Sequence, residues 1–215
     1  MSIITFDLET LPSGPIIDPL SLKPPGNLKK PETIAEWFKN EAVDIAAEKY
    51  RATALDSMRG ELLCIGYVLD DDELVRVIHA DTEYETLCQF QEAVLDAMGQ
   101  WSEPLTFIGW GIATFDVPWL WRAAIKYGLV GLRNAFNRDR YRGNAIDLMG
   151  IWGVDYKDWR KLDDVAKFLG LEGKTEGMSG DKVYDYFLAG RVDEIIEYCR
   201  QDVTVIREVY RKIYG

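Results

Sequence analysis

The sequence has few cysteines and a single histidine. Its three cysteines, Cys64, Cys88 and Cys199, are odd in number and lack Cys-x-x-Cys spacing, which argues against a disulfide scaffold and against a zinc ribbon. No apolar run approaches the roughly 18 residues of a membrane span. No charged leader precedes the first apolar run, so we expect no secretory signal. These absences favour a soluble, reduced, cytoplasmic globular protein with no membrane partner.

An excess of basic residues is also missing. The chain has 25 lysines and arginines against 36 acidic residues, and its formal net charge is −11. A protein that holds a long polyanion by charge alone would present a basic surface. A role with nucleic acid must therefore rest on a local site, a bound metal or a short stretch of substrate. Acidity is compatible with phosphate chemistry, because clustered carboxylates recruit Mg²⁺.

The apolar content is sufficient for a folded core. Of the 215 residues, 47% are hydrophobic and 12% are aromatic, which suits one domain. A hairpin followed by alternating strands and helices predicts an α/β fold with a mixed sheet flanked by helices. Apolar runs predict strands at 3–8, 62–69, 74–78, 105–108 and 145–148, with a hairpin around the acidic turn 70–73. Helical spacing predicts helices at about 83–98, where Leu87, Phe90, Val94 and Leu95 share one side, and at 115–127, 162–169, 182–188 and 192–213.

Residues 11–59 differ in composition from the rest of the chain. Six of the eight prolines fall between residues 12 and 31, which predicts a loop. The Ala- and Glu-rich stretch from about Pro31 to Met58 predicts one or two helices that begin with proline in the first turn. We interpret 11–59 as a loop-plus-helix insertion in a single domain, 1–215. Trp37 and Phe38 either contact a substrate strand or a partner, or pack the helices onto the domain, and we favour packing.

Three carboxylates before the last predicted helix lie at the ends of predicted elements. Asp7 and Glu9 are two residues apart at the end of the first strand, so both side chains point to one face of the sheet. Asp116 lies near the start of a helix, after a strand and the turn 109–111. Each position by itself is also compatible with a helix cap or a surface charge.

A tyrosine and a fourth carboxylate lie on the last predicted helix. Tyr198 and Asp202 are four residues apart, so their side chains share a face. Ile195 and Ile206 continue that stripe, which predicts that the polar pair faces the core and not the solvent.

In this order, the three segments resemble the exonuclease motifs of the DEDD superfamily of DnaQ-like enzymes. They are Phe6-Asp7-Leu8-Glu9-Thr10, Gly109 through Phe115-Asp116-Val117-Pro118, and Tyr198-Cys199-Arg200-Gln201-Asp202. The tyrosine identifies the DEDDy branch, because the position of the sister branch's histidine is Glu197. The single histidine, His79, ends a predicted strand, and we interpret it as structural.

The similarity is to stand-alone 3′–5′ exonucleases related to the proofreading domain of family B DNA polymerases. It covers about residues 1–10 and 60–215, and it does not account for 11–59. One departure is Gly111, where related sequences usually have asparagine.

The resemblance implies a ribonuclease H-like fold with a five-stranded mixed sheet and two divalent cations, Mg²⁺ or Mn²⁺, as cofactors. It implies that Asp7, Glu9 and Asp202 hold one ion and that Asp7 and Asp116 hold the second. Tyr198 would orient the attacking water, because a side chain with a reference pKa near 10 is a poor general base at pH 7. The implied contacts to the last nucleotide are Thr10, Leu11 and Phe115.

The activity implied by the resemblance is hydrolysis of phosphodiester bonds from the 3′ end of single-stranded DNA by two-metal chemistry. The implied partners are that DNA end and proteins of replication or recombination. An RNA-trimming exoribonuclease of the same fold is an alternative, since nothing in the sequence reads a 2′-hydroxyl. A catalytically silent nucleic-acid-binding accessory domain is a second alternative, although the complete set of five site residues weighs against it.

A local basic group follows the predicted helix 115–127. Arg133, Arg138, Arg140 and Arg142, with Asp139 among them, carry a net charge of +3 within ten residues. This group either contacts a phosphate backbone or is a solvated loop.

Overall fold

The computed structural model describes residues 2–69, 72–100, 105–139, 143–154, 158–171 and 177–215. The chain separates into two compact units, Thr10–Glu61 and the remainder. The larger unit is an α/β structure in which helices flank a five-stranded sheet. None of the helices in the described ranges combines the length and the apolar content that crossing a bilayer requires.

The sheet is mixed, as the sequence predicts, and its strand order is β3-β2-β1-β4-β5. β1 pairs in parallel with β4, β4 pairs in parallel with β5, and β2 and β3 form an antiparallel hairpin. Asp70 and Asp71 of the predicted acidic turn lie outside the described residues. The strands are β1 Ser2–Leu11, β2 Glu61–Leu69, β3 Arg76–Ile78, β4 Leu105–Gly109 and β5 Ala145–Asp147.

The first strand is longer than predicted, because it continues to Leu11 and not only to residue 8. Its pairing with β4 covers Ser2 to Thr5. Asp7 and Glu9 therefore lie inside β1, in the part that extends beyond the residues paired with β4.

Every predicted helix is present, and two short helices, α5 and α6, were not predicted. The smaller unit contains α1 Pro31–Asn40, which begins at a proline as expected, and α2 Ala42–Arg51. The larger unit contains α3 Glu83–Gln100, α4 Asp116–Lys126, α5 Val130–Ala135, α6 Leu148–Trp152, α7 Leu162–Phe168, α8 Val183–Leu188 and α9 Val192–Tyr214.

One expectation about α3 was wrong. Leu87, Phe90 and Val94 are fully buried, but Leu95 is 44% exposed. At 100° per residue, Leu95 lies 100° further around the helix than Val94 and so leaves the centre of the apolar stripe.

The two faces of the sheet bury different side chains, because neighbouring strand residues point in opposite directions. On one face, Ile4, Phe6 and Leu8 of β1 pack in a core with α3, α4 and α5. On the other face, Ile3 joins a second core. Asp7 and Glu9 share the face of Ile3, so they point toward this second layer. Its other buried members include Ile108, Leu148, Leu162, Val205, Ile206 and Val209, from β4, α6, α7 and α9.

The smaller unit has its own buried contacts. Trp37 is only 4% exposed, and its ring lies 4.9 Å from that of Phe38 in an edge-to-face arrangement. The Thr10 hydroxyl donates a hydrogen bond to the Ala54 carbonyl at 2.6 Å. The Trp37 ring is therefore packed away from solvent, and packing of these helices onto the domain stays a prediction.

Candidate active site

Three carboxylates meet beside β1. One oxygen atom from each of Asp7, Glu9 and Asp202 lies within 4.8 Å of the other two. Glu9 and Asp202 are buried and Asp7 is half-buried. Three carboxylates at this distance repel one another unless a proton or a cation is bound. Oxygen donors of this kind match the preference of Mg²⁺ and Mn²⁺, so the donor set fits a hard divalent cation.

The close approach of α9 to the sheet brings Asp202 to this position. Gly66 of β2 lies under α9, and a Cβ atom there would come within 2.8 Å of the Cys199 Sγ and 2.9 Å of a Val203 methyl. The Cys199 Sγ lies 3.7 Å from the Asp7 carbonyl oxygen. Glycine at position 66 therefore allows the helix and the sheet to pack at the distance that the carboxylates require.

Tyr198 lies one helical turn before Asp202 and is almost completely buried. Burial raises the pKa of its hydroxyl far above the usual range, and the negative charges of Asp202, Glu9 and Asp7 raise it further. The phenol therefore stays protonated and donates a hydrogen bond to Asp202. This excludes Tyr198 as a general base at neutral pH in the metal-free protein and leaves its oxygen able to accept a hydrogen bond.

Asp116 is the first residue of α4 and is 3% exposed. The pKa of its carboxyl is raised to about 7, chiefly by burial and also by the negative charge of Asp147. Hydrogen bonds from the backbone N–H groups of Asp116 and Leu8 lower this pKa and offset part of the increase. Leu8 lies between Asp7 and Glu9, so Asp116 contacts the same part of β1 as these two residues. Asp116 is not itself a member of the three-carboxylate group.

Asp147, at the end of β5, is a residue that sequence reasoning did not assign to the site. Its carboxylate accepts hydrogen bonds from the backbone N–H groups of Gly111 at 2.9 Å and Ala113 at 3.0 Å. The same carboxylate caps α6 by accepting from Met149 at 3.1 Å and Gly150 at 3.4 Å. Asp147 thus ties the end of β5 to the turn that leads into α4. An aspartate in a short predicted strand was the available signal, and by itself it does not distinguish a site residue from a cap.

The conformation of Gly111 explains the departure from asparagine at this position. Its φ angle is +79°, in the left-handed region that glycine adopts without steric cost. Asparagine is among the few other residues that visit this region routinely. The turn before α4 therefore requires a residue of this kind, and glycine meets the requirement.

The residues expected to contact a nucleotide have different environments. Phe115 is half-buried, and its ring lies 5.4 Å from that of Trp119. Thr10 and Leu11 are buried in the smaller unit. Their contacts to a nucleotide remain predictions. His79 lies outside the site, and its Nδ1 is 3.0 Å from the Leu63 carbonyl oxygen, which agrees with a structural role.

A comparison with a curated protein shows a distant relationship. A DNA polymerase from Archaeoglobus fulgidus is 24% identical to the chain over 143 residues. The match covers 62% of this chain and 17% of the polymerase, so the chain spans less than a fifth of that relative's length.

The family comparison covers a larger share of the chain. Residues 60–213 match the model of a family described as a predicted 3′–5′ exonuclease related to the exonuclease domain of PolB. The matched span includes Asp116, Tyr198 and Asp202 and begins after Asp7 and Glu9, which the fold places beside Asp202. Because the match covers well over half of its length, the chain belongs to this family of exonucleases related to the exonuclease domain of PolB.

Proposed function

We propose that the protein is a metal-dependent 3′–5′ exonuclease that hydrolyses phosphodiester bonds at the 3′ end of single-stranded DNA. The observation that carries this proposal is the convergence of Asp7, Glu9 and Asp202, which are up to 195 positions apart in the sequence, within 4.8 Å. A buried carboxylate group of this kind is costly for a folded protein unless it binds cations. The name of the archaeal relative, a DNA polymerase, supports DNA as the substrate.

Asp7, Glu9 and Asp202 would hold one divalent cation, and Asp7 with Asp116 would hold a second. When bound, two such ions supply a water nucleophile at neutral pH and stabilise the charge on the leaving 3′ oxygen. Asp7 is the half-buried member of the set, so it is the carboxylate through which the site is open to solvent.

Tyr198 would orient the water that attacks the phosphorus atom. Its hydroxyl hydrogen is directed to Asp202, so the lone pairs of its oxygen can accept a hydrogen bond from that water. The tyrosine acts by holding a position and not by taking a proton, because its pKa lies far above neutral pH.

Asp116 would respond to pH in a different way from the other carboxylates. Because its pKa is raised to about 7, it is largely protonated below neutral pH in the metal-free protein and would release this proton on binding a cation. Loading of the second position should therefore weaken below about pH 7.

The test is hydrolysis of 5′-labelled single-stranded oligonucleotides of DNA and of RNA with matched sequence, each with Mg²⁺, Mn²⁺ or EDTA. We expect stepwise shortening of the DNA from its 3′ end with either metal and none in EDTA. Asp202→Asn should abolish the shortening. Asp193→Asn is the matched control, because it removes an exposed carboxylate from the first turn of the same helix.

Two outcomes would contradict the proposal. One is wild-type hydrolysis by Asp202→Asn or in EDTA, and the other is no hydrolysis of either nucleic acid with either metal. Faster shortening of RNA than of DNA would replace the substrate by RNA and leave the reaction class unchanged.

A further inference from the structure

A concave surface of the larger unit, separate from the carboxylate group, combines arginines with aromatic rings. A cavity of about 680 Å³ lies between the outer face of α4 and the segment that follows α5. Trp121 and Phe136 supply its rings, and Arg133 and Arg138 supply its charges. Two asparagines and an isoleucine complete the lining, so none of the lining residues is acidic. We call this cavity the arginine pocket.

The two arginines of the pocket differ from five other arginines of this acidic chain. Within the described ranges, neither Arg133 nor Arg138 forms an ion pair with a carboxylate. Arg133 donates two hydrogen bonds to the neutral side chain of Asn134, at 3.2 and 3.1 Å. By contrast, each of five other arginines is paired with an acidic side chain: Arg76, Arg160, Arg191, Arg200 and Arg211.

The Arg138 guanidinium lies 4.5 Å from the centre of the Trp121 ring, in a cation–π contact. This contact orients the planar guanidinium in the pocket, and no carboxylate of the described residues forms an ion pair with it. Its donors therefore remain available to an anion, and its outer plane extends the aromatic surface. Asp139 is the next residue, but it does not line the cavity. Arg140 and Arg142 of the predicted basic group lie outside the described residues.

Helix α4 carries residues of both the candidate active site and the arginine pocket. Asp116 begins this helix, and Trp121 and Ile125 follow five and nine residues later. At 1.5 Å and 100° per residue, they lie about 8 and 14 Å along the axis from Asp116 and about 140° and 180° around it. A stacked strand advances about 3.4 Å per nucleotide, so the axial distance corresponds to roughly two to four nucleotides, and the path around the helix adds to this length.

We propose that the arginine pocket binds the substrate strand a few nucleotides upstream of its 3′ end, with phosphates held by Arg133 and Arg138. A base would stack on the Trp121–Arg138 pair, since aromatic rings and guanidinium planes are sequence-tolerant platforms for bases. Charge complementarity supports nucleic acid as the occupant, because guanidinium groups bind phosphate by paired hydrogen bonds. This inference rests on the proposed exonuclease function and explains how a chain of charge −11 holds a polyanion.

The test measures binding without turnover. The probes are 5′-fluorescein-labelled oligo(dT) of 3 and of 12 nucleotides, and fluorescence anisotropy in EDTA gives the affinity. We expect Arg133→Ala/Arg138→Ala to bind the 12-mer at least about tenfold more weakly than wild type and the 3-mer equally. The slope of log affinity against log salt for the 12-mer should decrease by roughly 1.4, which is 0.7 for each of two phosphates.

The matched control is Arg191→Ala/Arg211→Ala, which removes the same charge from two exposed, ion-paired arginines. It should bind both probes like the wild type. Trp121→Ala should weaken binding of the 12-mer by about fivefold to hundredfold, and Trp121→Phe should retain most of the affinity. Because Trp121 is half-buried, its replacement could destabilise the fold. The thermal unfolding midpoints of both variants therefore show whether weaker binding comes from a less stable protein or from the loss of base stacking.

Unchanged 12-mer affinity in the double variant would overturn the inference, and so would an equal loss in the control or an equal loss for both probes. If the double variant instead loses binding of a fluorescein-labelled oligo-glutamate and retains the 12-mer, the pocket docks an acidic protein segment, which also overturns it. If the wild type is an active exonuclease and the double variant binds the 12-mer as the wild type does, only the pocket inference is contradicted. If the wild type has no nuclease activity but the double variant loses binding of the 12-mer, only the exonuclease proposal is contradicted.

Discussion

The fold holds the carboxylates of the active site in two different ways. Asp7, Glu9 and Asp202 lie within 4.8 Å of one another, where a bound cation would relieve their mutual repulsion. Asp116 lies apart from this group, buried at the start of α4, and a pKa of about 7 lets it lose its charge by binding a proton. Under the proposed function, the first group would therefore depend on metal at neutral pH, and Asp116 would depend on both metal and pH.

The difference follows from the neighbours of each carboxylate. The three-carboxylate group combines one strand with a helix from the other end of the chain. Asp116 contacts the backbone of Leu8 and faces the charge of Asp147, whose oxygens are already used by the turn before α4. Positioning of the turn by Asp147 and the proposed binding of cations would thus be divided between neighbouring acidic residues.

Asp7→Asn is expected to have the largest effect, because Asp7 belongs to both proposed cation positions. Loss of several kcal/mol of transition-state stabilisation would lower kcat on the order of a thousandfold. The same change removes one charge from a repelling group, so the metal-free variant should unfold at a higher temperature than metal-free wild type. Turnover of labelled DNA and thermal unfolding in EDTA measure the two effects, and a stability that falls together with activity would contradict mutual repulsion.

Asp116→Asn should lower kcat on the order of a hundredfold, since it disturbs one proposed cation position and spares the other. It should also remove a pH dependence. Because the pKa of Asp116 is about 7 in the folded protein and lower when unfolded, the folded state binds the extra proton, and stability falls as pH rises from about 4 to 7. Metal-free wild type should lose up to about 1.4 kcal/mol per pH unit from this group. Urea unfolding in EDTA from pH 5 to 8 measures that slope, and an equal slope in the variant would refute the assignment.

Asp147→Asn should lower kcat about tenfold to hundredfold, as for other groups that orient a metal ligand. In the wild type, one carboxylate oxygen accepts from Ala113 and the other accepts from Gly111, Met149 and Gly150. An amide has only one acceptor oxygen, so the variant loses the hydrogen bonds of one of these two sets. Removal of the negative charge should also lower the pKa of Asp116, which moves the stability slope in EDTA to lower pH. Asp164→Asn, an exposed aspartate of α7, is the control. A slope unchanged from wild type would mean that Asp147 acts only on local folding.

Tyr198→Phe should have the smallest effect, a decrease in kcat of about tenfold, which corresponds to one lost hydrogen bond. The ring packing remains, and no metal ligand is removed. The Mg²⁺ concentration that gives half-maximal activity should therefore match that of wild type. A changed metal requirement would show that the hydroxyl supports Asp202 and not the water.

The spacing of particular residues predicted much of the fold. Strict alternation in β1 separates Phe6 and Leu8 from Asp7 and Glu9, and four-residue spacing places Tyr198 and Asp202 on one helical face, with Ile195 and Ile206 buried beside them. Short elements such as α5 and α6 were missed, because five or six residues carry little periodicity. The extension of β1 to Leu11 was missed for a similar reason, since acidic residues inside a strand resemble a strand end. That residues 11–59 are an insertion in one exonuclease domain stays a prediction.

The sequence by itself determined which side chains share a face, because helical and strand periods are local properties of the chain. It also indicated the family, through three short segments in a particular order. Only the tertiary structure decided that Asp202 meets Asp7 and Glu9, that Asp147 holds the turn before Asp116, and that two arginines share a pocket whose lining contains no acidic residue. These are contacts between residues far apart in the chain, and they depend on how closely helices pack on a sheet, which no local period specifies.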